Sequence, residues 1–257
     1  MEEALGRLLA TGNTAEIFEW GSRVMKLYKS PAAKPKSFRE AATSAAVEAL
    51  GLPVPKVWNV HDVGGRWGLV FDRVTQKSFA EQMLGKINDV PRYLECMAQL
   101  HIRIHCHQAV QFAGLKVTLA ANIAASLLLD KPRKQELLDA IVDMPDGDRL
   151  CHGDFHPLNI LGDTSEPVII DWLDARRGDP AADVCRSYLL LKLHAAEIAM
   201  PYLDAYCRLG DMDRDAVLRW TPYVAAAKLA EGVPSERAGL LEIVGSSPTR
   251  GASSMPR

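Results

Sequence analysis

The chain has 257 residues, 48% hydrophobic and 24% charged, which is ordinary globular composition and enough for one large domain or two small ones. Its net charge of −2 comes from mixed signs, so there is no basic footprint for nucleic acid, and no apolar run approaches the roughly 20 residues of a membrane span. The start, Met1-Glu2-Glu3-Ala4, lacks the charged-then-apolar form of a secretory signal. Five scattered cysteines with no C-x-x-C pair fit reduced thiols, so a cytoplasmic protein is expected, with neither membrane nor nucleic acid as partner.

The first seventy or so residues read as a small antiparallel sheet with one helix. Glu16–Trp20 and Arg23–Tyr28 flank the turn Gly21-Ser22, and Lys56–His61 and Trp67–Phe71 flank Gly64-Gly65. Between these pairs, Phe38, Ala41, Ala42, Ala45, Ala46, Ala49 and Leu50 recur with helical spacing; Ser37 is the expected N-cap, and Gly51 with Pro53 the stop. Beyond a change of composition at Asp72–Lys77 the pattern turns helical: Ser78–Ile87, Val90–His107, Arg133–Val142, Ala181–Ala195, Ala196–Arg208 and Arg214–Glu231. These spans set lobes at residues 1–73 and 74–245, and the Ser-, Gly- and Pro-rich residues 246–257 read as a disordered tail.

Short apolar strands interrupt the helices at Leu150-Cys151-His152-Gly153-Asp154-Phe155-His156-Pro157-Leu158-Asn159-Ile160-Leu161, followed by Val168-Ile169-Ile170-Asp171-Trp172. Asp154 and Asn159 stand five residues apart, and Asp171 closes the next strand. One carboxylate to orient an acceptor hydroxyl, with an amide and a second carboxylate to hold magnesium, is the set that phosphoryl transfer from a nucleotide needs. Order and spacing match the kinase catalytic loop H-x-D-x-x-x-x-N and its downstream metal-binding Asp. Taken singly, each residue has a plainer role: a turn Asp, a loop-capping amide, a carboxylate after a buried strand.

Lys26, on a strand with Val24 and Leu27, is the candidate grip on nucleotide phosphates, or else a solvated edge lysine. Glu40 is its candidate partner, yet Ser37-Phe38-Arg39-Glu40 also reads as an S-x-x-E capping box. Gly12, Asn13 and Thr14, between the first two strands, offer small residues for a phosphate approach, with a plain turn as the alternative. His101, His105, His107 and Cys106 lie on an apolar helix and read as structural rather than zinc-binding. His152 reads as a structural imidazole bonding nearby backbone.

These motifs resemble the aminoglycoside phosphotransferase family, small-molecule kinases of the protein-kinase-like fold. The resemblance rests on Cys151–Leu161, on Ile170-Asp171-Trp172-Leu173-Asp174-Ala175 and on Gly178-Asp179-Pro180-Ala181-Ala182-Asp183, with weaker matches at Val24-Met25-Lys26, Arg39-Glu40-Ala41, Leu52–Pro55 and Leu100-His101. It implies an α+β fold of two lobes, a small antiparallel-sheet N-lobe and a mainly helical C-lobe. It also implies a hinge at Asp72-Arg73-Val74 facing adenine, Asp154 as catalytic base, Asn159 and Asp171 as magnesium ligands, Lys26 on the phosphates oriented by Glu40, and Asp183 bracing the catalytic loop. Asp183 reads equally well as a carboxylate favoured by a helix N-terminus.

The expected reaction moves the γ-phosphoryl group of ATP, or GTP, with Mg2+, to a hydroxyl of a small molecule: an aminoglycoside-like antibiotic or a metabolite alcohol. The acids suited to a polycationic acceptor, Glu197, Asp204, Asp211, Asp213, Asp215 and Glu231, are spread out. Two alternatives stand beside this reading: a metallohydrolase using His152, Asp154, His156 and Asp171, and a catalytically silent nucleotide-binding module.

Overall fold

The computed structural model describes residues 5–246. Contacts divide the chain into two compact units. One runs to Ile87 and includes Pro157–Asp174; the other comprises Asn88–His156 and the residues from Ala175 onward.

The first unit holds a five-stranded antiparallel sheet. Its strands are β1 (Leu8–Thr11), β2 (Ala15–Trp20), β3 (Arg23–Tyr28), β4 (Val57–Val63) and β5 (Arg66–Asp72), in the order β1-β2-β3-β5-β4. Alternation along β3 decides what each face carries. Met25 and Leu27 join Trp20 and Val70 in one buried cluster; Tyr28 joins Ala15, Ala33 and Leu69 in another, against which Ala41 of α1 (Lys34–Glu48) packs. Lys26 shares the Tyr28 face, and so points to the α1 side. Opposite Leu27 in β5, Gly68 leaves room for the β3 backbone: a Cβ there would sit 2.7 Å from the Lys26 carbonyl and from Met25 Sδ.

The helix starts three residues before the expected cap. A 3-10 turn at Pro31–Ala33, capped by Ser30, leads the chain in, and Pro35 fits the first turn, where its missing N–H is no loss. Ser37 lies inside α1, and its hydroxyl donates to the Ala33 carbonyl (3.1 Å). The capping-box reading is thereby corrected.

The same unit contains α2 (Phe79–Gly85). Here a full capping box forms, with Ser78 and Glu81 bonding each other's backbone N–H. In the second unit come α3 (Val90–His105), α4 (Leu115–Ala125), α5 (Lys131–Ile141) and β6 (Arg149–Cys151). The chain then returns to the first unit as the hairpin β7 (Ile160–Leu161) and β8 (Val168–Ile169). This hairpin bonds the first unit's backbone at two places, Gly162 N to Lys77 O (3.0 Å) and Ile169 N to Pro53 O (2.7 Å). Those bonds group it with the sheet rather than with the helices that follow in sequence, so the contact boundary differs from the one composition draws at residue 73.

The rest of the second unit is β9 (Arg176–Gly178), paired with β6, and then α6 (Pro180–His194), α7 (Ala196–Gly210), α8 (Arg214–Leu218), α9 (Thr221–Lys228) and α10 (Arg237–Ser246). Buried residues lie all round α6 and α9, which marks them as central helices. The single helix expected over Arg214–Glu231 is broken, because Pro222 cannot donate to a continuing ladder and instead opens α9. Sequence periodicity missed α4, whose Val117, Thr118 and Asn122 dilute the signal carried by buried Leu115, Leu119 and Ile123. It also missed α10, which takes in Ser246; the remainder of the expected tail, 247–257, lies outside the described residues. No helix among the described residues is long and apolar enough to cross a membrane.

Candidate active site

In the sheet unit, β3 and α1 bring Lys26 and Glu40 together: Lys26 Nζ lies 2.6 Å from Glu40 Oε1 and 2.8 Å from Asp171 Oδ1. The second Glu40 oxygen accepts the Tyr28 hydroxyl, so a fully buried carboxylate is matched on both sides. Burial works against the Lys26 charge, but the Glu40 and Asp171 carboxylates outweigh it and hold the ammonium well above its ordinary range. The same burial, with Glu40 beside it, keeps the Tyr28 phenol protonated.

Asn159 ends a 3-10 turn just before β7, and Asp171 stands two residues beyond β8. The hairpin pairs Ile160 with Ile169, and Ile170 N donates to the Asn159 carbonyl (3.0 Å), so Asn159 and Asp171 both lie at one end of the ribbon. Asp171 has φ 64°, a left-handed backbone that few residues other than glycine adopt, and its side chain is 40% exposed. An amide oxygen and an accessible carboxylate at one hairpin end are the hard donors a magnesium ion takes.

Gly12, Asn13 and Thr14 form the exposed turn between β1 and β2, closed by Gly12 N to Ala15 O (2.9 Å) and clasped by Lys29 Nζ on the Gly12 carbonyl (2.6 Å). Asp72 ends β5, where its carboxylate accepts Trp58 Nε1 (2.7 Å), and Val74 follows it, half-buried. Between them, Arg73 pairs with Glu19 (3.2 Å).

In the helical unit, the loop after β6 carries His152, Asp154 and His156. Asp183, in the first turn of α6 and 1% exposed, accepts four bonds: His152 N (2.6 Å), Gly153 N (2.9 Å), His101 Nε2 (3.0 Å) and His105 Nε2 (3.3 Å). Burial opposes its charge, but these donors hold the carboxyl well below the usual range. Since a carboxylate only accepts, both imidazoles present Nε2–H, and their Nδ1 atoms face the hydroxyls of Tyr202 and Tyr206 (2.6 Å each). Both ring nitrogens of each histidine are therefore engaged. The cluster His101–His105–Asp183 has the spacing of a metal site but its hydrogen bonds are filled, and it anchors the loop. Burial, with His105 beside it, pushes His101 down to about 3.

His152 is fully buried, and its Nδ1 accepts the Asp154 N–H (3.2 Å). That leaves the ring turned to the loop backbone, which is poorly suited to a hydrolytic metal. The Asp154 carboxylate is flanked by His156 Nε2 (3.4 Å) and Arg186 Nη2 (3.3 Å). Burial alone would raise its pKa; the His156 bond and the Arg186 guanidinium instead keep it well below the ordinary carboxylate range.

Four contributors escaped sequence reasoning. Tyr28 looked like a core strand residue, the Tyr202 and Tyr206 hydroxyls act on histidines 101 positions away, and Arg186 sits in an apolar helix 32 residues from Asp154. Only Arg186 carried a local signal, as the one charge in the run Val184–Leu191.

No curated protein gives a match. Among solved structures, a thermostable mutant of aminoglycoside phosphotransferase APH(4)-Ia in ternary complex with ADP and hygromycin B is 15% identical, covers 95% of this chain and 92% of that one, and superposes with a TM-score of 0.70. Aminoglycoside phosphotransferase APH(3'')-Id from Streptomyces rimosus, in complex with ADP and streptomycin, is 16% identical over 90% of this chain and 93% of that chain, with a TM-score of 0.62. A choline/ethanolamine kinase family protein from Mesorhizobium loti is 20% identical over 96% and 82%, with a TM-score of 0.57. These likenesses carry the fold: a kinase-like α+β architecture with an antiparallel-sheet unit and a helical unit. The profile of the phosphotransferase enzyme family matches residues 12–218, a span that takes in Lys26, Glu40, Asp154, Asn159, Asp171 and Asp183, and the chain belongs to that family.

Proposed function

We propose that this phosphotransferase moves the γ-phosphoryl group of ATP to a hydroxyl of a small molecule, an aminoglycoside-like antibiotic or a metabolite alcohol. The observation that carries the reading is the Lys26 ammonium held between Glu40 and Asp171, beside an amide that shares Asp171's hairpin end. Such a lysine is a fixed cation for nucleotide phosphates, kept charged at any physiological pH. The relatives solved with ADP support a nucleotide, and those solved with hygromycin B or streptomycin, together with the choline/ethanolamine kinase family protein, support a hydroxylated small acceptor.

Asn159 and Asp171 would hold magnesium, whose charge offsets that of the phosphates when it is bound. The remaining roles belong to this chain's own side chains. Lys26 grips phosphate oxygens, and Glu40, fixed by Tyr28, aims Lys26. Asp72 and Val74, at the end of β5, are the proposed adenine contacts, and the Gly12–Thr14 turn the proposed phosphate cover. Asp154 accepts the hydrogen bond of the acceptor hydroxyl and so aligns its oxygen on the γ-phosphorus. As that oxygen bonds phosphorus, the bond to the bridging oxygen of ADP breaks and the hydroxyl proton is released through Asp154. A carboxylate held well below its usual range is a poor proton store, so its main contribution is alignment in a loose transition state. Asp183 and His152 hold the loop that presents it.

The test is nucleotide consumption across aminoglycosides, macrolides, choline-like alcohols and sugars, with Asp154→Ala and Asp171→Asn beside the parent protein. Asparagine is chosen at 171 because it tolerates the left-handed backbone. Loss of Asp154 should cut turnover by about 10²–10⁴-fold, and loss of the Asp171 charge by ~10²-fold or more, with circular dichroism unchanged. Near-normal turnover in either variant refutes the role given to it. Nucleotide binding with no phosphate consumption on any acceptor would favour the silent module.

A further inference from the structure

The helical unit contains a cavity of about 520 Å³ formed by the end of α4, the α9–α10 connection and α10. Its wall is mostly aliphatic, with Leu127, Leu128, Leu229 and Leu240. The charged residues among its lining are Lys228 and Arg237, both cationic.

Lys228 also ties the cavity wall to the catalytic loop. Its ammonium, 3% exposed, pairs with Glu236 (2.8 Å) and Glu231 (2.9 Å). Glu231 pairs with Arg186 (2.6 Å), and Arg186 with Asp154 (3.3 Å). Signs alternate along this chain of ion pairs, so each of its carboxylates, Asp154, Glu231 and Glu236, already faces a protein cation. The Arg186 guanidinium and the Lys228 ammonium also pull Glu231 below its ordinary range against the effect of burial. Farther round the unit, Asp204 is taken by Arg214, and Asp213 caps α8 by accepting Asp215 N (3.1 Å).

A polycation gains its affinity from uncompensated carboxylates and loses it against fixed cations. An aliphatic wall instead rewards apolar area removed from water. We propose that this cavity receives the body of the acceptor, and that its lining, together with Arg186 clamped between Asp154 and Glu231, selects an alcohol with a large apolar body and at most one positive charge over a polycationic one. This rests on the phosphotransferase reading above and narrows its acceptor class. Arg186 then has a double part, positioning Asp154 and cancelling the charge around it.

The experiment compares erythromycin, an apolar alcohol with one amine, with hygromycin B, a polycation, in ATP consumption and in equilibrium binding with ADP present. The expected result is a kcat/KM at least tenfold higher for erythromycin. Leu127, 95% exposed, lines the cavity at its solvent-facing edge, so Leu127→Asp leaves folding aside while placing a carboxylate at the cavity mouth. It should raise the KM for erythromycin several-fold at unchanged kcat. Arg186→Gln uncovers Asp154 and Glu231, and should lower kcat for both acceptors while shifting relative affinity at least tenfold toward hygromycin B. A parent enzyme that prefers hygromycin B, or a Leu127→Asp variant with unchanged KM, overturns the inference. If ATP is bound but neither acceptor is phosphorylated, the binding arm decides, and tighter binding of hygromycin B than of erythromycin overturns it. Failure to bind or consume ATP would instead strike the phosphotransferase reading itself, and the two acceptors' affinities without nucleotide would still judge the cavity.

Discussion

Asp183→Asn is the sharpest probe of how the catalytic loop is held. Oδ2 takes three N–H bonds, from His152 N, His101 and His105, while Oδ1 takes the bond from Gly153 N. The better asparagine orientation keeps its oxygen at the triple position and turns its NH2 onto Gly153 N–H. One buried donor is then unsatisfied, at a cost of about 1–3 kcal/mol. The other three bonds change from charge-assisted to neutral and lose roughly half their strength. Relief from burying a charge offsets part of this, so the net loss should be about 3–5 kcal/mol, the range for removing one partner of a buried ionic set. Because the lost bonds anchor residues 152 and 153, a displaced Asp154 should cost roughly 10²-fold in turnover. ADP affinity should hold, since Lys26, Glu40 and Asp171 belong to the other compact unit. Urea denaturation, calorimetric ADP titration and ATP consumption read the three quantities. A variant within about 1 kcal/mol of the parent and retaining its turnover refutes the reasoning, since the penalty for an unsatisfied buried donor alone would exceed that.

Two further expectations concern the same clusters. His101 is held near 3 in the fold against an ordinary 6.5, so between these values the unfolded chain binds more protons and stability falls as the solution is acidified. From pH 7 to pH 5 the loss from this group should be about 2 kcal/mol, and His101→Gln should flatten that slope in urea melts at the two pH values; equal stability of the parent at both would refute it. Tyr28→Phe removes a hydroxyl donor from the buried Glu40 and should cost about 1.5–3 kcal/mol, together with a rise in KM for ATP, whereas an unchanged KM would show that Glu40 keeps Lys26 aimed without the phenol.

The parts of the site legible in the sequence are those whose chemistry fixes a spacing. Asp154, Asn159 and Asp171 are set by how far one loop and one hairpin reach, whereas Lys26 was open between a phosphate grip and an edge lysine until the structure put it on the α1 face of β3. What stayed hidden depends on partners brought together by the fold. Ser37 obeyed the capping rule, yet the Pro31–Ala33 turn had already started the helix, freeing Glu40 for Lys26. Nothing local marks Tyr206 as the partner of His105, or Arg186 as the neighbour of Asp154. The α4 helix stayed hidden for another reason: its buried residues fall one per turn, at Leu115, Leu119 and Ile123, too thin a stripe among β-branched neighbours.

The anchor around Asp183 also bears on how the molecule is made. It joins a helix near residue 101, a loop at 152, a helix at 183 and a helix reaching Tyr206, with the His105–Tyr206 pair spanning 101 positions. Contacts so far apart in sequence close late. On the ribosome, the sheet strands that carry Lys26 emerge long before the loop can be locked, so synthesis must pass Tyr206 before Asp154 acquires a fixed address.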